Sequence, residues 1–173
     1  MLRSSSAPGL ILALLLVPSG CLAQHGEAET YSTCAVSRVS DGDSFRCADG
    51  RRVRLIGIDS PESQQLPFGP RSRDALLQLI PVGARVRLEP DAARTDRYRR
   101  ELAYVWSGAT LVNEAMLRDG WAVIYTVPPN VKYADRLARA QKEARAEGAG
   151  LWNQQGFACI PSEFRRNRCV SLP

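Results

Sequence analysis

The chain contains 173 residues, of which 45% are hydrophobic and 24% are charged. This length is typical of one domain with a hydrophobic core of its own. The net charge of +5 suits a polyanionic partner, although charge alone does not identify one. The single histidine, His25, lies in a polar N-terminal stretch outside every motif described below, which argues against chemistry that depends on histidine.

Residues 1–23 have the pattern of a secretory signal peptide. Arg3 provides a short positive region, Leu10–Val17 is an apolar run, and Cys21-Leu22-Ala23 resembles a cleavage site. The run is too short to anchor the chain in a bilayer, and no other stretch of the sequence could span one. We therefore expect an exported protein, periplasmic or extracellular, with residues 24–32 as a loose mature N-terminus. A lipoprotein anchored through Cys21 is the alternative.

Four cysteines follow the predicted signal peptide: Cys34, Cys47, Cys159 and Cys169. An even number of cysteines in an exported chain favours disulfide bonds, and three pairings are possible. Cys34 and Cys47 flank the Asp41-Gly42 turn, so a hairpin would bring them together. Cys159 and Cys169 would then close a short C-terminal loop. A zinc site is the alternative, but the sequence contains no C-x-x-C motif.

Short alternating runs bounded by turn signals predict five strands. Asp41-Gly42 and Asp49-Gly50 are tight-turn signals that join the first three strands into a meander. Apolar alternation and flanking Pro or Gly residues mark the other two. The predicted strands are Cys34–Ser40, Ser44–Ala48, Arg52–Ile58, Ala84–Glu89 and Glu101–Trp106. Trp121–Val127 is a further extended, apolar stretch.

Apolar residues at helical spacing predict three helices. Thr110 is positioned to cap the second helix, and Gly148 to end the third. The predicted helices are Pro70–Ile80, Leu111–Asp119 and Tyr133–Glu147. This order of elements predicts an α+β fold, mainly β, in which a five-stranded barrel of the oligonucleotide-binding (OB) type carries three helices. We place this domain at residues 33–153, followed by an irregular, cysteine-containing and basic tail at 154–173.

Carboxylates and one arginine cluster between residues 41 and 62. Asp43 follows the first turn, and Asp59 precedes Ser60-Pro61, which ends a strand because proline cannot donate to a sheet ladder. The hairpin and the next strand would bring both carboxylates to one end of the sheet, with Arg54 nearby. Oxygen-rich clusters suit Ca²⁺ or Mg²⁺, and a neighbouring guanidinium suits a phosphate. Taken singly, each residue is also explained as an ordinary turn or surface residue.

A second basic element lies at residues 94–100, where four of the seven residues are arginine. A solvated loop would explain it, but guanidinium groups also bind phosphate oxygens two at a time. The loop, including Arg97, is therefore a candidate rim for a nucleic-acid backbone. Tyr98 and Tyr125 offer faces for base stacking, with buried core positions as the alternative for both.

Five separated motifs resemble those of the staphylococcal nuclease family. In chain order they are D-G-D-S, R-L-I-G-I-D-S-P-E, T-D-R-Y-R-R-E-L-A-Y, V-N-E-A-M-L-R-D-G-W-A and G-L-W. The resemblance extends from about Cys34 to Trp152, which is nearly all of the predicted mature chain. It implies a five-stranded barrel with three helices that uses Ca²⁺ to hydrolyse DNA and RNA and leaves 3′-phosphorylated products.

The resemblance also implies a ligand set for the metal. Asp43 and Asp59 correspond to the carboxylates that bind calcium, and the main-chain carbonyl of Ser60 corresponds to a third protein oxygen. Asp41 corresponds to an acid that lies near the metal without binding it directly.

Three further residues correspond to catalytic groups. Glu62 matches the family glutamate that is usually called the general base. Arg54 and Arg100 match the two arginines that contact the scissile phosphate. Arg99 stands where the family has a glycine, and the assignment to Arg100 depends on alignment to the following Leu-Ala-Tyr sequence.

Two tyrosines complete the correspondence. Tyr98 and Tyr125 match tyrosines near the nucleotide, whereas Val127 stands where a further tyrosine is common. The sequence therefore predicts an exported, monomeric, Ca²⁺-dependent nuclease that acts on DNA and RNA. The alternative is a catalytically silent nucleic-acid-binding barrel of the cell envelope, in which we would expect Glu62 or an arginine to be lost.

Overall fold

The computed structural model describes residues 31–169. The predicted signal peptide, Cys21 and most of the predicted loose N-terminus lie outside the described residues. The strands are β1 (Ser32–Val39), β2 (Ser44–Cys47), β3 (Arg52–Leu55), β4 (Gly57–Asp59), β5 (Arg85–Glu89), β6 (Glu101–Ser107), β7 (Thr110–Leu111) and β8 (Val123–Tyr125). The helices are α1 (Phe68–Leu79), α2 (Val112–Arg118), α3 (Ala134–Glu147), a 3₁₀ helix (Gly150–Gln154) and α4 (Pro161–Phe164).

Five of these strands close into a barrel. β1 pairs antiparallel with β2 and β5, β2 pairs with β3, and β5 pairs with β6. A parallel pairing between β3 and β6, from Val53 opposite Glu101 to Leu55 opposite Ala103, completes the ring. This closed barrel with helices confirms the predicted α+β fold of the OB type.

The core fills the barrel and continues beneath the helices. Val53 and Leu55 of β3 point into it, and Arg54, between them, points the other way because side chains alternate along a strand. Leu76 of α1 and Leu137 of α3 are also fully buried against this core. No helix within residues 31–169 is long and apolar enough to cross a membrane.

The predicted third strand, Arg52–Ile58, is wrong in one respect, because the structure divides it at Ile56. Gly57 has φ +79°, a left-handed conformation that bends the chain at the start of β4 and that glycine adopts readily. The side chain of Asn113 holds the bend, since its Nδ2 donates to the carbonyl of Ile56 at 2.8 Å. Beyond the bend, β4 leaves the barrel and pairs with β8, Asp59 lying opposite Val123.

The second helix also begins differently from the prediction. Thr110 does not cap it, since Thr110 lies opposite Ser107 in a short hairpin that turns at Gly108. The helix begins at Val112, and its N-cap Leu111 makes no capping hydrogen bond through its side chain. Sheet pairing thus overrides the local preference of threonine for an N-cap position.

The C-terminal tail folds back onto the domain. Cys34 and Cys47 form one disulfide, with Cα atoms 5.6 Å apart, and Cys159 and Cys169 form another, with Cα atoms 5.4 Å apart. The predicted pairing is therefore the one that the structure has. Phe157 is buried in a small second core with Leu151 and Val123. The tail is less irregular than predicted, because it contains α4.

Candidate active site

One groove of about 830 Å³ contains most of the residues predicted to carry chemistry. Its floor, defined here as Asp41, Asp43, Arg54 and Asp59, is formed where β2, β3 and β4 approach one another. Its rim, defined as Arg97, Tyr98, Arg100 and Tyr125, comes from the loop before β6 and from the end of β8. Ser60, Glu62 and Arg165 also line the groove.

Arg54 forms ion pairs with both carboxylates that were predicted to be metal ligands. Its Nη2 lies 3.1 Å from Asp43 Oδ2 and 3.2 Å from Asp59 Oδ1. Its Nη1 donates to the carbonyl oxygen of Leu55 at 2.6 Å, which limits the rotation of the guanidinium. The side chains of all three charged residues are at most 11% exposed, so this arrangement is held by the surrounding protein.

The Asp41-Gly42 turn places Asp43. Asp41 Oδ1 accepts hydrogen bonds from the backbone N–H of Asp43 at 3.0 Å and from the hydroxyl of Ser44 at 2.8 Å. A Cβ atom on Gly42 would overlap Ser72 Oγ, so this close approach requires glycine. Asp41 therefore shapes the turn that presents Asp43.

The segment after β4 places Ser60 and Glu62. The backbone N–H of Ser60 donates to Asp43 Oδ2 at 2.8 Å, which ties the end of β4 to the first turn. The backbone N–H of Glu62 donates to the side-chain oxygen of Gln65 at 2.8 Å. Glu62 therefore follows Asp59 into the groove on a segment that is fixed at both ends.

The electrostatics of the floor fit a bound cation. The pKa of Asp43 is raised from its ordinary 3.8 to about 7. Burial is the largest cause, Arg54 opposes the rise, and the neighbouring charges of Asp41 and Asp59 contribute to it. The floor places three carboxylates beside one guanidinium in a buried position, and Arg165 adds a second positive charge at Asp59. Oxygen donors in such a setting match the preference of Ca²⁺.

The protein supplies only part of a cation's ligand shell through its side chains. Within residues 31–169, no group of three or more His, Cys, Asp or Glu side chains is arranged to hold a metal. A main-chain oxygen, such as the carbonyl of Ser60, and water would have to join Asp43 and Asp59. Such mixed shells are common for Ca²⁺.

Asp96 organises the basic loop. Its Oδ1 accepts the backbone N–H of Tyr98 and of Arg100, both at 2.9 Å, and its Oδ2 lies 2.7 Å from Arg100 Nε. Burial favours a raised pKa for Asp96, but its hydrogen bonds with Arg100 outweigh burial and hold that pKa below the usual value. Arg99 has φ +60° and is exposed outside the groove, whereas Arg100 lines it. The glycine-like backbone at Arg99 thus turns the next residue, Arg100, toward the floor.

The two tyrosines of the rim are exposed. Tyr98 is 54% exposed and Tyr125 is 47% exposed, so the alternative of core positions for them is wrong. Arg97 lies 4.8 Å from the centre of the Tyr98 ring, and its Nη2 donates to the Tyr98 hydroxyl at 2.7 Å. Both rings are therefore available at the mouth of the groove.

Arg165 is a charged groove residue that the sequence did not indicate. Its Nη1 lies 3.1 Å from Asp59 Oδ1 and 2.6 Å from Glu62 Oε1, and its Nη2 lies 2.8 Å from Asp59 Oδ2. The hydrogen bond to Asp59 raises the pKa of this guanidinium, and Glu62 adds to the effect. The only signal in the sequence was a basic patch in the tail, and nothing in its spacing pointed to the floor.

Comparison with known proteins decides the family. The family model described as staphylococcal nuclease homologue matches residues 52–154. The chain belongs to the staphylococcal nuclease family. The matched part contains Arg54, Asp59, Glu62 and Arg100, whereas Asp43 precedes it and Arg165 follows it.

Members of this family from several bacteria are similar over most of their length. A thermonuclease from Staphylococcus hyicus is 36% identical over 137 residues, which cover 75% of this chain and 79% of that protein. A thermonuclease from Staphylococcus intermedius is also 36% identical, over 127 residues that cover 69% of this chain and 75% of that protein. An uncharacterized endonuclease from Haemophilus influenzae is 31% identical over 166 residues, which cover 94% of this chain and 85% of that protein.

Proposed function

We propose that this protein is an exported, Ca²⁺-dependent nuclease that hydrolyses the phosphodiester bonds of DNA and RNA. One observation carries the proposal: a buried guanidinium, Arg54, lies between two carboxylates in a groove that also contains Glu62 and Arg100. The family and the nuclease names of its similar members support the same reaction.

The floor would hold the metal ion. Asp43 and Asp59 would provide carboxylate oxygens, Ser60 its main-chain carbonyl, and Asp41 would support them through the turn. When bound there, Ca²⁺ would supply Lewis-acid polarisation of the phosphate and lower the pKa of water. Oxygen donors favour this ion over zinc, which prefers nitrogen and sulfur.

Two arginines would bind the scissile phosphate. Arg54 would contact it from the floor and Arg100 from the rim, since both line the same groove. Negative charge grows on the phosphoryl oxygens during hydrolysis, and donors already in place stabilise that charge more than they stabilise the substrate. Asp96 contributes by orienting Arg100.

Glu62 would act as the general base. Its carboxylate would accept a proton from the attacking water as the new P–O bond forms. The bond to the 5′ oxygen would break to leave a 3′-phosphate, and the 5′ oxygen would take up a proton from solvent to become a hydroxyl group. Glu62 is the appropriate group among the neighbouring acids because its side chain is 33% exposed, whereas those of Asp43 and Asp59 are 8% and 3% exposed. A water molecule can therefore reach it from the groove.

The rim would hold the neighbouring nucleotides. Tyr98 and Tyr125 present exposed rings on which bases stack without regard to sequence, and Arg97 adds positive charge for the backbone. These contacts act on single-stranded segments in particular, because their bases are free to leave the stack.

Export rests on the N-terminal sequence. The pattern of residues 1–23 supports passage through a membrane, and the two disulfide bonds suit the oxidising space beyond it. We propose the periplasm or the medium as the place of action, with a monomer as the active form.

The proposal is tested by digestion of single-stranded DNA with the purified protein in Ca²⁺ and in a Ca²⁺-selective chelator. We expect cleavage in Ca²⁺, loss of cleavage in chelator, and recovery when Ca²⁺ is restored. Glu62→Gln serves as the control for contamination, since it removes the proposed base at constant side-chain size. Cleavage that persists in chelator would contradict the metal, and salt-sensitive DNA binding without cleavage would identify the silent barrel instead.

A further inference from the structure

The segment Cys159–Cys169, called the strap below, is docked onto the loop that carries Glu62. The side chain of Gln65 makes the connection, since its oxygen accepts the backbone N–H of Glu62 and its Nε2 donates to the carbonyl of Cys159 at 3.0 Å. Gln65 is only 7% exposed, so these hydrogen bonds are shielded from water. The disulfide between Cys159 and Cys169 closes the strap into a loop.

The docked strap places the guanidinium of Arg165 against two carboxylates that have proposed functions. Arg165 contacts both oxygens of Asp59 and one oxygen of Glu62. A planar guanidinium is suited to bridging carboxylates in this way, with several hydrogen bonds from one rigid group. The oxygens that it uses are those that a metal ion and an attacking water would need.

We propose that the strap is an autoinhibitory element in which Arg165 competes with the divalent cation for Asp59 and blocks Glu62. This inference rests on the proposed function of those two carboxylates. A site that is closed most of the time binds its ligand with an affinity reduced by the open fraction. The strap thus weakens metal binding until Arg165 leaves the floor.

Arg165 is able to leave, whereas Arg54 is not. The Arg165 side chain is 42% exposed and reaches the floor from a short tail element, so it can turn into water. Arg54 is 11% exposed and is held by Asp43, Asp59 and the carbonyl of Leu55. The strap lies beyond residues 52–154, so Arg165 reaches the floor from outside the part that matches the family model.

The first test is calorimetric titration of Ca²⁺ into the purified protein without nucleic acid. We expect Arg165→Gln to bind Ca²⁺ about fivefold more tightly than the wild type, because the cation no longer has to displace a partly exposed ion pair from Asp59. Arg166→Gln is the matched control. It removes the same charge from the same strap, but Arg166 pairs with Glu163 outside the groove. It should bind Ca²⁺ as the wild type does.

A second variant opens the strap without changing any charge at the carboxylates. In Cys159→Ser/Cys169→Ser the loop is no longer closed, so the docked position costs more entropy. We expect tighter Ca²⁺ binding here too, by about threefold, and a larger rise in melting temperature on adding Ca²⁺ than in the wild type.

The outcomes separate the strap from the proposed function. Equal or weaker Ca²⁺ binding by Arg165→Gln, together with Ca²⁺-dependent cleavage, would overturn the inhibitory role of the strap and leave the nuclease proposal intact. Absence of Ca²⁺ binding in all variants, with cleavage unaffected by chelator, would overturn both. Tighter binding by Arg165→Gln and by the double serine variant, but not by Arg166→Gln, is the result expected from a strap.

Discussion

The floor and the rim of the groove differ in how firmly the protein holds them. The floor side chains of Asp43, Arg54 and Asp59 are 8%, 11% and 3% exposed and contact one another. At the rim, Arg100 is 28% exposed and Tyr98 is 54% exposed, and both come from one loop. Groups that stabilise a transition state gain from being fixed in advance, whereas groups that receive a flexible polynucleotide gain from mobility. The groove thus combines a rigid centre with an adaptable edge.

The strap adds a third kind of element to this comparison. Arg165 reaches the floor from the tail, yet its side chain is 42% exposed, like that of a rim residue. It therefore contacts the rigid centre without being part of it. This position is what makes it suitable as a removable cation.

Replacing Arg54 should have the largest effect. We expect Arg54→Ala to lower kcat by about 10³-fold, because it removes a preorganised donor and leaves Asp43 and Asp59 with less positive charge. Steady-state kinetics on single-stranded DNA at saturating Ca²⁺ measure this effect. Arg46→Ala is the control, since Arg46 is an exposed arginine of the neighbouring strand outside the groove. A loss below tenfold for Arg54→Ala would mean that the floor does not carry the chemistry.

The bend that builds the floor should be sensitive to a single methyl group. Gly57→Ala should lower the free energy of unfolding by about 3 kcal/mol, because alanine resists the left-handed backbone and its Cβ would lie 2.5 Å from Leu137 Cδ1. Gly50→Ala is a matched control, since Gly50 has a similar φ of +89° but no atom within 4 Å of the added carbon. Gly50→Ala should lower the free energy of unfolding by about 1 kcal/mol. Urea denaturation measures both, and equal losses would show that packing at the bend is unimportant.

Replacing Arg100 should lower kcat less than replacing Arg54, because the Arg100 side chain is more exposed. We expect Arg100→Ala to lower kcat by about 10²-fold. Arg99→Gly is the informative comparison, since glycine accepts the positive φ of that residue while the neighbouring charge is lost. Activity close to that of the wild type is expected for it. A greater loss of activity in Arg99→Gly than in Arg100→Ala would reassign the phosphate contact to Arg99.

The smallest effect is expected at the mouth of the groove. Tyr98→Ala should raise KM about tenfold with little change in kcat, because stacking on the rim stabilises bound substrate and transition state equally. Tyr98→Phe keeps the ring and should behave like the wild type. A fall in kcat at constant KM would place Tyr98 with the floor rather than with the rim.

Much of the groove could be predicted because its signals are local. Asp41-Gly42 specifies a turn, so Asp43 follows it at the start of a strand, and Ser60-Pro61 ends the extended segment after Asp59. The bend at Gly57 was missed, because a glycine inside an alternating run does not reveal whether its φ is positive. That bend depends on Asn113, which is 57 residues away from Ile56 in the sequence.

By itself the sequence determined the family, the barrel and the residues that form the floor, and it favoured the disulfide pairing that the structure has. Each of these depends on short-range turn chemistry, on alternation along strands, or on motifs that keep their order. Only the tertiary structure decided where the tail goes. Arg165 meets Asp59 across 106 residues because Phe157 packs into a second core and Gln65 binds the tail. Such contacts form between surfaces that exist only after folding, so no local sequence pattern predicts them.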